Sequence, residues 1–383
     1  MPAHPGIFFT MTATTTLPQL APDTIPPDIL CAHDYEAAAR RFIAVPTYEY
    51  LAGGSGRDVT VATNLDAFAQ WAVVPRLLRD VTAGHTRLTL GSALLPHPVL
   101  LAPVAFQRLA HGEGEIGSAL AASATDTCMV CSTLSSCLLE DVARTAGAHK
   151  WFQLYFQPER TATSALLARA ECAGYGAIVV TLDAALQVGS ERALRAGFRM
   201  HADCSAVNLD AGAAPSKRAP ADGESRIFQG MMRGAPTWAD LMWLLTQTTL
   251  PVWVKGVLHP DDARALQAAG VAGLVVSNHG GRSLDGAPAS LAVLPAIRAA
   301  VGHELPLLLD GGIRSGTDIF KAIALGANGV LIGRLQVYAL AVAGALGVAH
   351  MIKLLREELE VCMALAGCAT LADIDCGALL RRS

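Results

Sequence analysis

From residue 99 onward the chain repeats one pattern: a short apolar run, then in most cases a stretch with helical spacing. The runs are Val99–Pro103, Cys128–Ser132, Trp151–Phe156, Ala177–Leu182, Val252–Lys255, Gly273–Ser277, Leu307–Asp310 and Val330–Gly333. Runs this short and this uniformly apolar read as strands buried on both faces, which a parallel sheet covered by helices provides. Helical patterns fill Gly114–Ala124, Thr161–Ala173, Trp238–Leu245, Asp261–Ala269, Leu291–Ala300 and Thr317–Leu325. Their ends are marked. Pro260 with Asp261 and Asp262 opens one helix and Gly270 closes it, while Ser315 and Asp318 form a capping box for another that stops at Gly326. Eight strand–helix units in series predict an α/β fold of the (β/α)8, or TIM-barrel, type. Such a barrel needs a large interior, and 52% hydrophobic against 16% charged residues supplies it.

The 383 residues accommodate one barrel with extensions. Two short helices, Asp34–Phe42 and Pro46–Leu51, are expected to cap one end as an N-terminal helical layer. The fourth and fifth strands are separated by about 70 residues. Residues 201–235 within that gap are polar and aperiodic, as expected of a lid or disordered loop over the barrel mouth. Residues 1–30 are rich in Pro, Thr and Ala without Lys or Arg, so they read as a disordered tail rather than a secretory signal, and Met11 offers an alternative start. The expected division is therefore a tail, 1–30, and a single barrel domain, 31–383. An uncharged stretch between Arg334 and Lys353 is interrupted by polar residues and reads as a barrel helix rather than a membrane span. A net charge of −4 gives no basic surface for nucleic acid or for a membrane. Nine dispersed cysteines, an odd number, suit reduced thiols in the cytoplasm. The Cys128/Cys131 spacing is read as core packing, with no metal expected.

Chemistry gathers where strands end, because those side chains enter the mouth of a barrel. After the sixth strand, Ser277-Asn278-His279-Gly280-Gly281-Arg282 sets a base with an ordinary pKa near 6.5 beside a rigid two-pronged cation, the pairing needed to hold a carboxylate while a proton leaves. Strands seven and eight end in Asp310-Gly311-Gly312-Ile313-Arg314 and Gly333-Arg334. Glycines there let backbone N–H groups approach phosphate oxygens, and the arginines balance charge, so a nucleotide-like cofactor or a phosphorylated substrate fits. Lys255 ends the fifth strand and needs an anionic partner. Gln153 and Tyr155 share one face of the third strand. Thr181 and Asp183 do so on the fourth, where Asp183 can orient His279.

These motifs resemble the FMN-dependent α-hydroxy-acid oxidase/dehydrogenase family, which includes glycolate oxidase, lactate oxidase and mandelate dehydrogenase. The likeness covers roughly residues 34–375. It rests on Ser277 to Asp285, Val254-Lys255-Gly256, Leu309 to Arg314, Ala110-His111-Gly112-Glu113-Gly114-Glu115 and Phe152-Gln153-Leu154-Tyr155. The resemblance implies that Tyr50 and Arg282 hold the substrate carboxylate, that His279 takes the hydroxyl proton, and that Tyr155 and Asp183 support it. FMN is then held by the Val104 and Ala105 backbone and by Ser132, Gln153, Thr181, Lys255, Ser277, Asp310, Gly312, Arg314, Gly333 and Arg334. Reduced flavin, negative along its N1–O2 edge, is the anion Lys255 would meet. The implied reaction oxidises an (S)-2-hydroxy acid to the 2-oxo acid, with O2 reoxidising the flavin to give hydrogen peroxide. Ala105 matches the small residue of oxidases. The family is often tetrameric, so a homotetramer is the implied assembly.

Two departures bear on the substrate. Ser190 stands where the family carries an arginine, with Arg192 displaced by two, and Leu134 replaces an aromatic residue beside the substrate. Carboxylate binding is thereby thrown onto Arg282 and Tyr50, and the pocket becomes more apolar, favouring a medium or bulky apolar side chain over glycolate. The alternatives are the same barrel with another electron acceptor, a monooxygenase-like decarboxylation, or a flavin-binding scaffold without turnover.

Overall fold

A computed structural model describes residues 24–382 except 92, 187 and 210–222. The tail expected over 1–30 lies outside the described residues as far as 23. Residues 24–30 are described, and Ile29 is buried against the core.

The eight expected strands form a closed parallel barrel. They are β1 (Val99–Leu101), β2 (Met129–Ser132), β3 (Lys150–Leu154), β4 (Ile178–Thr181), β5 (Val252–Val257), β6 (Gly273–Val276), β7 (Leu307–Asp310) and β8 (Gly329–Ile332). Alternating side chains on these strands build two cores, as the strand period of two requires. Inside the barrel lie Leu100, Val130, Val179, Val275, Leu308 and Leu331, with Trp151 and Trp253 at a ring separation of 4.9 Å. Gly273 makes room there, since a Cβ would come within 2.4 Å of the Trp253 ring. A hairpin of Leu88–Leu90 and Ala93–Leu95 adds Leu88, Leu90 and Leu95 to this interior core. Outward-facing Val99, Leu101, Cys131 and Phe152 pack beneath the helices. Cys128 belongs to the inner core and Cys131 to the outer, so this C-x-x-C pair points to opposite sides of its strand.

Twelve α-helices are described. Three precede the barrel: α1 (Asp34–Ala39), α2 (Val45–Ala52) and α3 (Val59–Ala69). The first two were expected; the third was not, and it opens with Val59, Thr60, Val61 and Thr63, β-branched residues that favour strand over helix. Around the barrel run α4 (Glu115–Ala124), α5 (Leu139–Thr145), α6 (Arg160–Cys172), α7 (Glu191–Arg195), α8 (Trp238–Gln247), α9 (Pro260–Ala268), α10 (Ser290–Val301), α11 (Gly316–Ala324) and α12 (Arg334–Ala366). The Ser315–Asp318 capping box is present at α11. Helix α12 extends well past the expected Lys353, with a break at Ala343 and Gly344. Its length and apolarity would suffice for a membrane, but its most apolar stretch is 78% buried inside this fold. The excursion after β4 begins with α7, and its middle, 210–222, lies outside the described residues.

Candidate active site

The C-terminal ends of the strands surround a cleft open to solvent, lined by residues from the strand ends, from α2 and from the start of α12. His279 enters it from the turn after β6. That residue has φ +60°, a left-handed conformation uncommon for a residue with a side chain. Strain of this kind persists only where neighbours over-determine it. Here the His279 N–H donates to Ser277 Oγ at 3.0 Å, and Nδ1 lies 2.8 Å from Asp183 Oδ1. Nε2 is therefore the ring nitrogen presented to the cavity, with the Tyr155 hydroxyl 3.5 Å away.

Asp183 sits behind the histidine rather than in the cavity lining. Burial alone would raise its carboxyl, but the His279 charge and hydrogen bond, with Lys255, hold it below the usual aspartate value. Gly256 explains how it comes so close. At φ +104°, a Cβ on Gly256 would stand 2.5 Å from the Asp183 side chain. The opposite balance acts on Lys255. Burial would lower its ammonium, yet Asp310, 2.9 Å from Nζ, and Asp183 outweigh it and carry the pKa above the ordinary lysine value. Nζ also donates to Ser277 Oγ at 2.7 Å. Ser277, expected to touch the cofactor, has its hydroxyl between Lys255 Nζ and the His279 N–H and accepts from both.

Arg282 enters beside His279. Its Nη1 donates to the carbonyls of Tyr50 (2.9 Å) and Gly53 (3.1 Å), and its guanidinium lies 4.8 Å from the centre of the Tyr50 ring. Among the described residues, Nε and Nη2 have no acceptor, which leaves two aligned donors for a carboxylate. Tyr50 is itself fixed by a parallel stack on Phe198, with ring centroids 4.1 Å apart. Arg192 does not reach this place. It is paired with Glu49 and with Asp58, while Ser190 caps α7 by accepting from the Ala193 N–H. Leu134 lines the cavity as expected.

The glycine loops after β7 and β8 form the other wall. Arg314 bonds Glu36 at 2.6 Å. Arg334 donates from three of its five N–H groups to the carbonyls of Leu51, Gly53 and Gly280. Burial first, with the neighbouring Arg282 and Arg314 charges, pulls Arg334 down to about 10. It stays charged at neutral pH, in a cationic corner that favours an anion. Val104, Ala105, Ser132, Gln153, Thr181, Asp310, Gly312 and Gly333 all line the same cavity.

Buried polar atoms test whether a flavin nucleotide suits this cavity. Gln153 Nε2, Thr181 Oγ1 and Asp310 Oδ1 have no protein partner, although buried polar atoms ordinarily do. The Gln153 amide is held by its oxygen, which accepts from Ser132 Oγ and the Thr133 N–H at 3.2 Å each. Donors and acceptors at adjacent strand ends, an ammonium beside them and a cationic glycine-rich corner match a polar heterocycle joined to a phosphate. The residues fit FMN. Tyr338, not anticipated, joins them: it lines the cavity, and its buried hydroxyl is unpartnered. Four residues beyond Arg334 on one helix, it shares that residue's face, a signal available in the sequence.

Comparison with known proteins agrees with this construction. A family model described as FMN-dependent dehydrogenase matches residues 39–381. The chain is 65% identical to an L-lactate oxidase of Alicycliphilus denitrificans over 352 residues, covering 92% of this chain and 96% of that one. It is 44% identical to an L-lactate oxidase of a Roseobacter species, covering 92% and 94%. A crystal structure of mandelate oxidase with (S)-2-phenylpropionate superposes with a TM-score of 0.82 at 39% identity, covering 92% and 98%.

Proposed function

The chain belongs to the FMN-dependent α-hydroxy-acid oxidase family, and we propose that it oxidises a small (S)-2-hydroxy acid, L-lactate foremost, to the 2-oxo acid with O2 as electron acceptor. The observation that carries the reading is one cavity receiving both the Nε2 face of an Asp183-backed imidazole and the unpaired edge of Arg282. The similarity to L-lactate oxidases supports lactate, and Leu134 suits its apolar methyl group.

In this reading, Nε and Nη2 of Arg282 grip the substrate carboxylate, with the Tyr50 hydroxyl as a further donor. Fixing the acid at two points confines its Cα, and such confinement supplies much of an enzyme's acceleration. The hydroxyl then faces His279 Nε2, which takes its proton. Asp183, ionised and bonded to Nδ1, keeps the ring in the tautomer that accepts at Nε2 and stabilises the imidazolium that results. Tyr155 keeps its proton, since burial and the Asp183 charge push its pKa up, so it remains a donor toward the substrate oxygen. FMN, when bound, supplies the acceptor for the hydride leaving Cα and the route by which the electrons reach O2 as hydrogen peroxide. Gln153, Thr181 and Lys255 would hold its ring, and Gly312, Gly333, Arg314 and Arg334 its phosphate. The unpaired state of all nine cysteines supports a reducing compartment, the cytoplasm.

A panel of (S)- and (R)-2-hydroxy acids mixed anaerobically with the holoprotein, followed by air and a peroxide assay, tests the reading. Bleaching of the flavin band by (S)-lactate with one peroxide formed per turnover is expected. No bleaching by any acid of the panel would exclude it.

A further inference from the structure

The strained turn that carries His279 and Arg282 is held from outside the barrel. Helix α3 lies against it, and Asn64 on that helix is 3% exposed. Its side chain forms a reciprocal amide pair with Asn278, the residue preceding the histidine. Asn64 Nδ2 donates to Asn278 Oδ1 at 2.9 Å, and Asn278 Nδ2 donates back to Asn64 Oδ1 at 2.8 Å. The same Asn278 oxygen accepts the Gly281 N–H at 3.1 Å, closing the turn between His279 and Arg282. Asn64 Oδ1 accepts in addition from the Ser290 N–H at 3.3 Å, and Ser290 Oγ accepts from the Asn278 N–H. Every polar atom of the two amides is thus occupied inside a buried network.

The remainder of α3 reinforces this contact. Thr60, one turn earlier and on the same face, donates to the Leu284 and Ala287 carbonyls and accepts the Gly286 N–H. Asp285 in return accepts the N–H groups of Arg57 and Thr60 at the start of the helix. Asn64 also closes on the phosphate-side loop: a Cβ on Gly312 would come within 2.3 Å of its backbone oxygen. One residue therefore abuts both the loop of the base and the loop after β7.

We propose that Asn64 is a positioning residue for the oxidation, acting through Asn278 to hold His279 in its left-handed conformation with Nε2 toward the substrate hydroxyl. This rests on the reaction assigned above. The physical argument is that a positive-φ residue returns to ordinary backbone when its restraints weaken, and that a displacement of about 1 Å at a reacting group can cost roughly a hundredfold in rate.

Asn64→Ala, loaded with FMN, is expected to lower the anaerobic rate of flavin reduction by (S)-lactate by about ten- to a hundredfold. Asn64→Asp keeps the shape and the acceptor but sets a carboxylate oxygen against Asn278 Oδ1, and it should slow reduction as well; it decides the question if the alanine variant does not fold. Asn64→Ala combined with Asn278→Ala should be no slower than the slower single variant, because both break one interaction. Hydrogen exchange of the FMN-free protein supplies a readout apart from turnover: peptides spanning 277–283 should exchange faster in Asn64→Ala while barrel strands do not. Rates within twofold of the parent protein in a folded variant, multiplicative effects in the double variant, or unchanged exchange would each overturn the proposal. Failure of the parent protein itself to be reduced would refute the assigned reaction instead.

Discussion

Replacing Asp183 by Asn isolates one electrostatic contribution, because the two side chains have nearly the same shape. The carboxylate lies 2.8 Å from His279 Nδ1, at a place open to it because Gly256 carries no Cβ. A general base must begin the reaction able to accept a proton, so the charge that His279 gains as the substrate gives up its proton is the one Asp183 meets. Asp183 therefore stabilises the later part of the reaction more than the start. Two unit charges about 4 Å apart at an effective dielectric of about 20 attract by about 4 kcal/mol. A hydrogen bond to a charged group, taken net of water, contributes about 1.5–3 kcal/mol. Between these bounds, a loss of about 2–4 kcal/mol corresponds to about 30- to 1000-fold in rate, at about 1.4 kcal/mol per decade. The loss should fall on kcat, with KM little changed, because Asp183 does not meet the carboxylate of the substrate. Anaerobic stopped-flow reduction at saturating (S)-lactate, corrected for FMN content, measures it. A rate within fivefold of the parent protein, with FMN retained, would refute the idea that this carboxylate shares the charge of the imidazolium.

His279→Ala should cut turnover by about 10²- to 10⁴-fold, the range of general base catalysis, yet leave the protein yellow; a colourless variant would show that the histidine holds the cofactor instead. Arg192→Ala should leave KM for (S)-lactate within about twofold, since its partners are Glu49 and Asp58 and not the cavity, whereas Arg282→Ala should raise KM by about tenfold or more, as expected for a lost charge-assisted bidentate contact; steady-state kinetics distinguishes the two. Glu36→Gln reports on pH. Burial tends to raise the Glu36 carboxyl, but Arg314 at 2.6 Å prevails and holds it below the usual glutamate value. A depressed folded value means that this pair stabilises the fold fully above about pH 4.3, the unfolded value, and loses that contribution as pH falls through the folded one. Urea midpoints of the parent and the variant should differ at pH 7 and converge toward pH 3; a difference that persists in acid would contradict the assignment.

Much of the site was legible because barrel geometry converts strand order into position. A polar residue at the end of an apolar run enters the mouth, so His279, Lys255, Gln153, Thr181 and Asp310 could be grouped without coordinates. Strand-end position likewise brought Ser277 to the mouth, but could not show that its hydroxyl would accept from both Lys255 Nζ and the His279 N–H. Arg192 is similar. Its distance from the expected arginine position was visible, while the carboxylates that hold it, Glu49 and Asp58, come from a segment 134 to 143 residues away.

Local patterning determined the eight strands, most of the helices, the capping box at Ser315 and the chemistry of each strand end, because these depend on neighbours within a few residues. Tertiary structure alone decided which atoms of those side chains are satisfied by protein and which remain for ligands. Asn64 and Asn278 lie 214 residues apart, and nothing in either neighbourhood announces their pairing. Hydrogen bonds are short-ranged and directional, so a partner brought by folding from a distant helix leaves no periodicity for the sequence to display.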